Sequence, residues 1–487
     1  MAAAEQATVV VVGGGVAGLS AACALAEAGH RVQVLERRSY LGGRAASFRH
    51  PGVGEVIDNC QHVLFGCCTN LRGFYRRIGV ADRIHWTSDM TMIEPGGRIS
   101  RLGPSPLPAP LHSLPRFLAA SAFSWRDKLA LARAFRTLLG PIPGDSSESL
   151  GEWLQRQQQT PGAINRFWRL VIASALNAEL DTIALPYAAK VIRELFLSSA
   201  EAGQMGMSTV PLGELYAAAE QFLTARGSAV VYTTRVEGGG WDAATSRWTL
   251  STSQGSFQAA QVILALPYEA TARLLPGFPP APGVALLSTQ LQQHEHWPIC
   301  SVQLWFDRPI TDLDHAVLLD REIHWMYNKT RLGGARSPSA LAGPKVEPAR
   351  PEVALHHLEL VISASRSFAA LRSEEAIARA HAELAEFFPA VRSAVLVKSA
   401  FIKEVHATFG VPPGIDAARP GSLSPWPHCF LAGDWTATGW PSTMESAARS
   451  GHLAAEALSR ELGRPMAWLE PDLPAQGLMR WLPTFSV

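Results

Sequence analysis

A short apolar strand that runs straight into a glycine-rich turn and a helix constrains the fold of this chain more than any other feature. Residues 8–12 form an apolar, β-branched run that predicts a buried strand, and three spaced glycines follow at once. An alanine- and leucine-rich stretch predicts a helix to about residue 28, and a second predicted strand, 31–35, ends on Glu36. Strand, glycines, helix, strand and acid in this order predict a βαβ unit that binds a dinucleotide.

Each residue type in this unit has a physical task in binding a diphosphate. The first glycine permits the tight turn, the second lets the backbone approach the diphosphate, and the third allows close packing of helix on strand. The helix N-terminus offers unpaired N–H groups, and the acid after the second strand accepts hydrogen bonds from ribose hydroxyls. The predicted cofactor-binding residues in this unit are Gly13, Gly15, Val16, Ala17, Gly18, Glu36 and Arg37.

Three further segments indicate which dinucleotide the unit binds. A basic loop after Glu36 ends in Gly43-Arg44, and near the far end of the chain an apolar strand runs into Gly433-Asp434. A helix with Pro, Ser and Thr at its start is predicted from about 441 onward. With these segments the chain resembles the FAD-dependent amine oxidases and phytoene-type desaturases.

The resemblance implies FAD as the cofactor and gives each segment a place on it. The Gly-Gly-Arg loop wraps the diphosphate, the distal Gly-Asp binds the ribityl–diphosphate part, and the last helix points its N-terminus at the flavin. A strand ending near Val236 meets the adenine. The further cofactor residues that the resemblance implies are Gly43, Arg44, Val236, Gly433, Asp434, Met444 and Glu445.

The resemblance also implies the fold class: α/β, with a discontinuous Rossmann-like FAD-binding domain and an inserted α+β substrate domain. The expected division is FAD-binding domain 1–75, 213–285 and 401–465, substrate domain 76–212 and 286–400, and a C-terminal tail 466–487. Periodicity predicts strands at 229–236, 247–253, 257–266, 299–307, 323–327 and 352–363, helices at 213–226 and 373–388, and a loop at 332–350.

Composition restricts the partners. A formal net charge of +1 gives no electrostatic reason to expect nucleic acid. Charged residues make up only 17% of the chain and hydrophobic ones 47%, yet no apolar run reaches the roughly 18 residues of a membrane span. No export signal is evident, and the six cysteines lack metal-site spacing, so we expect a cytoplasmic protein with reduced thiols and no metal.

Residues 107–139 are mostly apolar and are interrupted by arginine and lysine. Apolar helices with a basic, aromatic-edged margin can lie in a bilayer interface, and the tail 477–487 is a second candidate for such a contact. The alternative is a pair of core helices in the substrate domain. In the first case the protein is peripheral on the inner face of the cell membrane and takes a lipid substrate from the bilayer.

The segment after the first FAD motif is the most discriminating. Asp58-Asn59-Cys60-Gln61-His62 stands where members of the superfamily place a turn that passes under the flavin, and it resembles the squalene-associated branch, the hydroxysqualene dehydroxylases. Matches at 404–409 and 433–451 extend this resemblance. It implies that reduced FAD converts hydroxysqualene to squalene in squalene and hopanoid synthesis, through acid-assisted loss of water and hydride delivery from flavin N5.

Such a reaction needs a proton donor and a dry, apolar channel. His62 is the first candidate acid because its unperturbed pKa lies near neutral, with Asp58 and Glu404 as further candidates and Gln61 as a group that orients the hydroxyl. The structural alternative is that Asp58 caps the turn and His62 hydrogen-bonds a carbonyl. Trp305, Trp325 and Tyr327 either line the channel or fill the core.

Three other functions stay open at this point. A carotenoid desaturase has the same fold and runs hydride transfer in the opposite direction, from the polyene precursor to oxidised FAD. An amine oxidase is a further member of the superfamily. A non-catalytic prenyl-lipid escort protein uses the fold without flavin chemistry, although retention of the glycines and of Glu36 argues against it. The electron donor that reduces FAD is not indicated by any second nucleotide motif.

Overall fold

A computed structural model describes residues 9–142, 144, 146–333 and 355–481. The strands are Val9–Val12 (β1), Val32–Leu35 (β2), Ser47–Arg49 (β3), Val56–Asp58 (β4), Val63–Phe65 (β5), Ile84–Thr87 (β6), Met90–Ile93 (β7), Ile99–Leu102 (β8), Met205–Ser208 (β9), Ala229–Val231 (β10), Val236–Asp242 (β11), Arg247–Thr252 (β12), Gly255–Ala259 (β13), Gln261–Leu264 (β14), His296–Phe306 (β15), His315–Leu318 (β16), Trp325–Asn328 (β17), His356–Ser363 (β18), Leu396–Phe409 (β19) and Cys429–Leu431 (β20).

The α-helices are Val16–Glu27 (α1), Thr69–Arg77 (α2), Leu114–Ala119 (α3), Trp125–Leu138 (α4), Leu150–Arg156 (α5), Pro161–Ala163 (α6), Ser174–Leu176 (α7), Leu185–Ile192 (α8), Leu212–Thr224 (α9), Tyr268–Leu274 (α10), Val284–Gln292 (α11), Lys329–Leu332 (α12), Arg366–Ala370 (α13), Ser373–Phe387 (α14) and Met444–Glu461 (α15). Two π-helical stretches, Ile164–Ala173 and Arg193–Ser198, join α6 to α7 and extend α8. Short 3-10 turns lie at Ala81–Arg83, Leu111–Ser113, Leu180–Thr182, Leu275–Gly277, Pro389–Arg392, Ile415–Ala418 and Gly477–Trp481.

A parallel five-stranded sheet in the order β10-β2-β1-β14-β20 draws its strands from the beginning, middle and end of the chain. All four residues of β1 are valines and all are buried, as expected for the centre of a parallel sheet covered on both faces. Helix α1 packs against α15 so closely that a Cβ added at Gly451 would lie 2.2 Å from the carbonyl oxygen of Ala17. The distal helix is therefore held directly beside the N-terminal glycine turn.

A second, seven-stranded sheet has the order β19-β15-β18-β17-β16-β7-β8, and its two faces differ in character. Side chains alternate along each strand, so one face collects apolar residues such as Val302, Leu304 and Leu360, which form a core cluster with Leu384 of α14. The opposite face carries the alternate positions, and Ser301, Gln303, Trp305 and Glu359 make its middle aromatic and polar. This second face borders the segment 58–62 that follows the first cofactor motif.

Two predicted strands are wrong in extent. The strand predicted at 229–236 ends at Val231, because Thr233 adopts a left-handed backbone conformation (φ 52°) and the chain then enters the separate sheet of β11, β12 and β13. The strand predicted at 257–266 is two strands, since β13 pairs with β12 whereas β14 pairs with β1 in the parallel sheet. In both cases the backbone changes sheets within an apolar run, which the apolar pattern does not reveal.

The other predicted elements agree within a few residues where they are described. Helices α9 and α14 cover the predicted 213–226 and 373–388, and strands β12, β15, β17 and β18 cover the strands predicted at 247–253, 299–307, 323–327 and 352–363. The start of that last strand and most of the predicted loop 332–350 lie outside the described residues. Cys60 lies in the turn formed by residues 58–62 and does not have a positive φ. The backbone of this turn therefore does not need a glycine at position 60.

Within residues 107–139 the chain forms α3 and α4, and α4 buries one face and exposes another. Ala130, Leu131 and Leu138 face the core, whereas Trp125 and Leu129 are each 67% exposed. No helix in the described part of the chain combines the length and apolar character needed to cross a bilayer.

Candidate cofactor crevice and buried polar cluster

The turn between β1 and α1 is closed by backbone contacts that only glycine allows. Gly13 has φ 110°, and a Cβ at this position would lie 2.4 Å from the carbonyl oxygen of Ala265 on the neighbouring strand segment. A Cβ at Gly18 would lie 2.0 Å from the carbonyl oxygen of Gly13. Gly13 therefore permits the turn beside Ala265, and Gly18 permits α1 to pack closely on that turn, which agrees with the tasks that the sequence pattern assigns to them.

Gly15 differs from both, because the protein leaves room beside it. A Cβ added there would meet only the Cα of Gly43, at 3.8 Å, and a Cβ at Gly43 would lie 3.1 Å from the Cα of Gly15. Gly15 is the N-cap residue of α1 and no side chain caps this helix end, which begins with Val16 and Ala17. Two glycine surfaces thus face each other at a helix N-terminus, an arrangement suited to a diphosphate.

Glu36 ends β2 beside this cradle and is only 5% exposed. The N–H of Gly14 donates to Oε2 at 2.8 Å and the N–H of Arg38 donates to Oε1 at 2.8 Å, so the carboxylate is fixed in orientation. The N–H of Thr234 donates to the carbonyl oxygen of Glu36 at 2.9 Å, which brings the chain just before Val236 to the same edge. Arg37 is exposed.

Arg44 and Asp434 join the first and last cofactor segments. A guanidinium nitrogen of Arg44 hydrogen-bonds Oδ1 of Asp434, and the hydroxyl of Ser442 donates to Oδ2 at 2.6 Å. Burial raises the pKa of Asp434, but the charge of Arg44 and these hydrogen bonds outweigh it and bring the pKa below its usual range. Gly433, with φ 148°, places this aspartate at the end of β20.

Met444 and Glu445 begin α15, whose N-cap is Thr443. The Glu445 carboxylate points to α2, where it accepts hydrogen bonds from the N–H groups of Asn70 (3.1 Å) and Leu71 (2.8 Å) and pairs with Arg449 at 2.7 Å. It therefore neutralises the N-terminus of α2. A cofactor role for Glu445 stays a prediction, and its backbone is the part of the residue left to carry it.

These residues fit FAD. The open glycine cradle at a helix N-terminus suits the diphosphate, and the fixed Glu36 carboxylate at the end of β2 suits the ribose. The Arg44–Asp434 pair lies between the first and last segments. The individual cofactor assignments stay predictions.

Asp58 anchors neighbouring structure. Its Oδ1 accepts a hydrogen bond from the hydroxyl of Ser47 at 2.6 Å and from the N–H of Leu212, the first residue of α9, at 3.0 Å. Its Oδ2 accepts a hydrogen bond from Nζ of Lys329 at 3.2 Å. Asp58 thus holds β3 and the start of α9 and does not cap its own turn, and its catalytic role stays a prediction.

His62 is held by its own segment, with Nε2 3.3 Å from Oδ1 of Asn59. Burial lowers the pKa of its imidazole to about 4, so the ring is neutral near pH 7. A neutral imidazole is a much weaker proton donor than an imidazolium. The catalytic role of His62 stays a prediction, and its protonation state favours a hydrogen-bonding role.

Gln61 hydrogen-bonds two charged residues, Glu359 and Lys329, that the sequence analysis did not identify. Its N–H donates to Oε1 of Glu359 at 2.6 Å, and its side-chain oxygen accepts from Nζ of Lys329 at 2.6 Å. The hydroxyl of Ser301 donates to the same Oε1 of Glu359 at 2.9 Å. We call Asp58, Gln61, Ser301, Lys329 and Glu359 the buried polar cluster.

One signal in the sequence marks the missed glutamate: Glu359 is the single acid in the apolar strand β18 and is fully buried. Lys329 follows a strand and carries no comparable signal. Glu404 lies on β19 opposite Ile299 and is half-buried. The structure thus brings Asp58 and Gln61 together and leaves Glu404 outside the hydrogen bonds of the cluster.

An aromatic wall adjoins the cluster on the same face of the seven-stranded sheet. Tyr327 is the cross-strand partner of Glu359, and its ring stacks on Trp325 with centroids 5.8 Å apart. Trp305 stacks on His357 at 4.0 Å, one position further along β15 and β18 on that face. These rings are buried, so they contribute to the core and also border the polar cluster.

Glu269, His296 and His406 come from three distant segments and bring one potential ligand atom each within 4.8 Å of one another. The prediction that the chain binds no metal stays a prediction.

The model of the family described as flavin containing amine oxidoreductase matches residues 16–459. The chain is 27% identical to the 15-cis-phytoene desaturase of Synechococcus elongatus over 94% of this chain and 99% of that protein. It is 25% identical to the zeta-carotene desaturase of Zea mays over 91% of this chain and 82% of that protein.

Solved structures agree in fold. An oxidoreductase from Methanosarcina mazei superposes with a TM-score of 0.67 at 17% identity, over 91% of this chain and 98% of that one. Cyclohexylamine oxidase from Brevibacterium oxydans superposes with a TM-score of 0.64 at 19% identity, over 94% of this chain and all of that one. The predicted fold class is confirmed.

Proposed function

The chain belongs to the family of flavin containing amine oxidoreductases, and we propose that within it the protein removes the hydroxyl group of hydroxysqualene to give squalene. The FAD cofactor and the oxidoreductase class are confirmed by this membership. The substrate and the direction of the reaction are the proposal. Squalene and hopanoid synthesis is the setting that it implies.

The observation that carries the proposal is the buried polar cluster beside an apolar, aromatic wall. Expulsion of water from an allylic alcohol needs a proton donor that is shielded from bulk water. Removal of hydride from a hydrocarbon needs no such donor. A chain that buries two carboxyl groups, a lysine and a glutamine among aromatic rings is better suited to the first reaction.

Different residues of the chain perform different parts of the proposed reaction. The cluster supplies and holds the proton, and Gln61 orients the hydroxyl through its amide. Tyr327 and Trp325 present π faces that stabilise a nearby cation by about 0.5–2 kcal/mol each and keep water from it. When bound, reduced FAD supplies the hydride.

The second candidate is a carotenoid desaturase. It is favoured by the names of the relatives, which are phytoene and zeta-carotene desaturases at 24–27% identity over nearly the whole chain. It uses the same cofactor crevice and the same aromatic wall, with oxidised FAD. In that reaction a buried carboxylate would accept the proton that is lost together with the hydride, so the cluster would act as a base and not as an acid.

Substrate conversion distinguishes the two. We expect the protein, reduced anaerobically and mixed with hydroxysqualene, to reoxidise its flavin and to form squalene in equal amounts. Flavin absorbance and extraction of the product measure both quantities in one reaction. A reduced flavin that stays reduced, together with desaturation of phytoene by the oxidised enzyme, would establish the second candidate instead.

We further propose that the protein takes this lipid from a membrane through one surface, formed by α3, α4 and the turn Gly477–Trp481. The N–H of Leu478 donates to the carbonyl oxygen of Ala109 at 2.8 Å, and Nζ of Lys128 donates to that of Leu118 at 2.7 Å, so these segments are contiguous. The exposed apolar residues of this lipid-facing patch are Leu111, Leu118, Trp125, Leu129, Leu478 and Trp481. Exposed arginines at 126, 133, 136 and 480 complement anionic lipid headgroups.

Replacement of Trp125, Leu129 and Trp481 together by serine should lower binding to anionic liposomes at least about tenfold, because full burial of each such side chain contributes roughly 1.5–3 kcal/mol. Cosedimentation with vesicles containing phosphatidylglycerol measures the bound fraction, and high salt should weaken it. The control is Leu286→Ser, since Leu286 is 63% exposed but lies outside the patch. Equal losses in the control and the triple variant would refute the patch.

A further inference from the structure

We infer that Glu359 is the proton donor of the proposed dehydroxylation and that it acts through Oε2. The inference rests on the proposed function and names the residue that performs its first step. His62, the candidate from sequence, is neutral near pH 7, and Asp58 has both carboxylate oxygens engaged. Glu359 is the remaining acid of the buried polar cluster.

Counting charges in the cluster points to the same residue. One cation, Lys329, faces two carboxyl groups, and its Nζ lies 3.2 Å from Oδ2 of Asp58 but 3.6 Å from Oε2 of Glu359. Asp58 is therefore the nearer of the two carboxyl groups to the cation, and it is also held by the hydroxyl of Ser47 and the N–H of Leu212. Two carboxyl groups that share one cation cannot both ionise at low cost, so the proton resides on Glu359.

The two oxygens of Glu359 have different environments. Oε1 accepts hydrogen bonds from the N–H of Gln61 and the hydroxyl of Ser301. Oε2 is buried and has no hydrogen-bond partner among the described residues, because Lys329 is too far away to donate. A proton on Oε2 is therefore free to be donated to a ligand, whereas Oε1 is held in place.

The surroundings of Glu359 favour its protonated form. Burial raises its pKa, and Lys329 lowers it only in part. The other titratable groups that face it are Asp58, Cys60 and Tyr327. Burial raises the pKa values of the Cys60 thiol and the Tyr327 phenol well above their usual ranges, so both stay neutral.

The step balances in atoms and charge. Oε2–H of Glu359 transfers its proton to the substrate oxygen, the carbon–oxygen bond breaks with its electron pair leaving on water, and Glu359 becomes a carboxylate facing Lys329. The allylic carbon beside Tyr327 would be left with a positive charge, and reduced FAD, the reductant, would supply the hydride when bound. Glu359 then regains a proton from solvent.

Glu359→Gln tests the inference, since the amide keeps an oxygen for Gln61 and Ser301 but has no acidic proton. We expect normal FAD content and a kcat lower by about 10²–10⁴, with partial recovery in Glu359→Asp. His62→Ala is the matched comparison and should lose much less.

The kcat of the wild-type protein should fall as pH rises through the pKa of Glu359, and Lys329→Met should move this fall to higher pH.

A second readout does not depend on turnover. Infrared spectroscopy of the wild-type protein near pH 7 should show the carbonyl stretch of a protonated carboxyl group that is missing in Glu359→Gln. A wild-type protein that makes squalene while Glu359→Gln stays within about tenfold of its kcat, or a carboxyl band unchanged by the substitution, would overturn the inference alone. A wild-type protein that forms no squalene would overturn the proposed function and the donor role with it.

Discussion

Gly15→Val should purify as a folded protein without yellow colour. The structure leaves space for a side chain at this position, because a Cβ would meet only the Cα of Gly43 at 3.8 Å. What the side chain blocks is the approach of the diphosphate to the N-terminus of α1. Losing two hydrogen bonds to a charged group, each contributing roughly 1.5–3 kcal/mol, should weaken FAD binding by about 100-fold or more.

Two other glycines make this result interpretable. Gly18→Ala places its Cβ 2.0 Å from the carbonyl oxygen of Gly13, so this variant should lose stability as well as flavin. Gly240→Ala adds a Cβ with no atom within 4 Å, and both flavin content and stability should stay normal. Flavin absorbance per protein and urea unfolding of the apoproteins measure the two effects. A Gly15→Val protein that keeps its FAD would remove this turn from the binding site.

The cofactor crevice was predictable because its requirements are local. A glycine between β1 and α1, a second at the helix N-cap and an acid at the end of β2 are each fixed by backbone geometry within one βαβ unit, residues 9–36. Gly13 shows this directly, since its positive φ and its contact with Ala265 leave no room for a side chain. Such steric requirements determine the spacing of the glycines in the sequence, and this spacing can be recognised without a structure.

The buried polar cluster was only half predictable because it is assembled by sheet register. Asp58 and Gln61 stand in one recognisable segment, but Glu359 reaches them from β18, 298 positions beyond Gln61, and Lys329 from the start of α12. Nothing in the local pattern of residues 355–363 indicates which strand they pair with. The same limit explains the strand predicted at 229–236, which ends where Thr233 turns the chain into another sheet.

Glu445→Ala should lower the free energy of unfolding by about 3 kcal/mol, a typical result of breaking a buried ion pair by removing one partner. The carboxylate is 1% exposed, pairs with Arg449 at 2.7 Å and accepts hydrogen bonds from two N–H groups at the start of α2. Its removal leaves Arg449 buried, with Asp472, Thr69 and the ring of Trp440 as its remaining side-chain contacts among the described residues. Urea unfolding of the apoprotein measures the loss.

The loss of stability in Glu445→Ala is interpreted by measuring the FAD content of the same variant. Arg460→Ala removes an exposed arginine from the same helix and should change stability by less than about 1 kcal/mol. Glu445→Gln combined with Arg449→Met removes both buried charges and should recover part of the loss. If Glu445→Ala instead loses FAD at an unchanged unfolding midpoint, the carboxylate is a cofactor ligand, and the contact with α2 is incidental. A loss of stability with normal FAD content assigns Glu445 to the joint between α15 and α2, leaving the helix N-terminus itself to face the flavin.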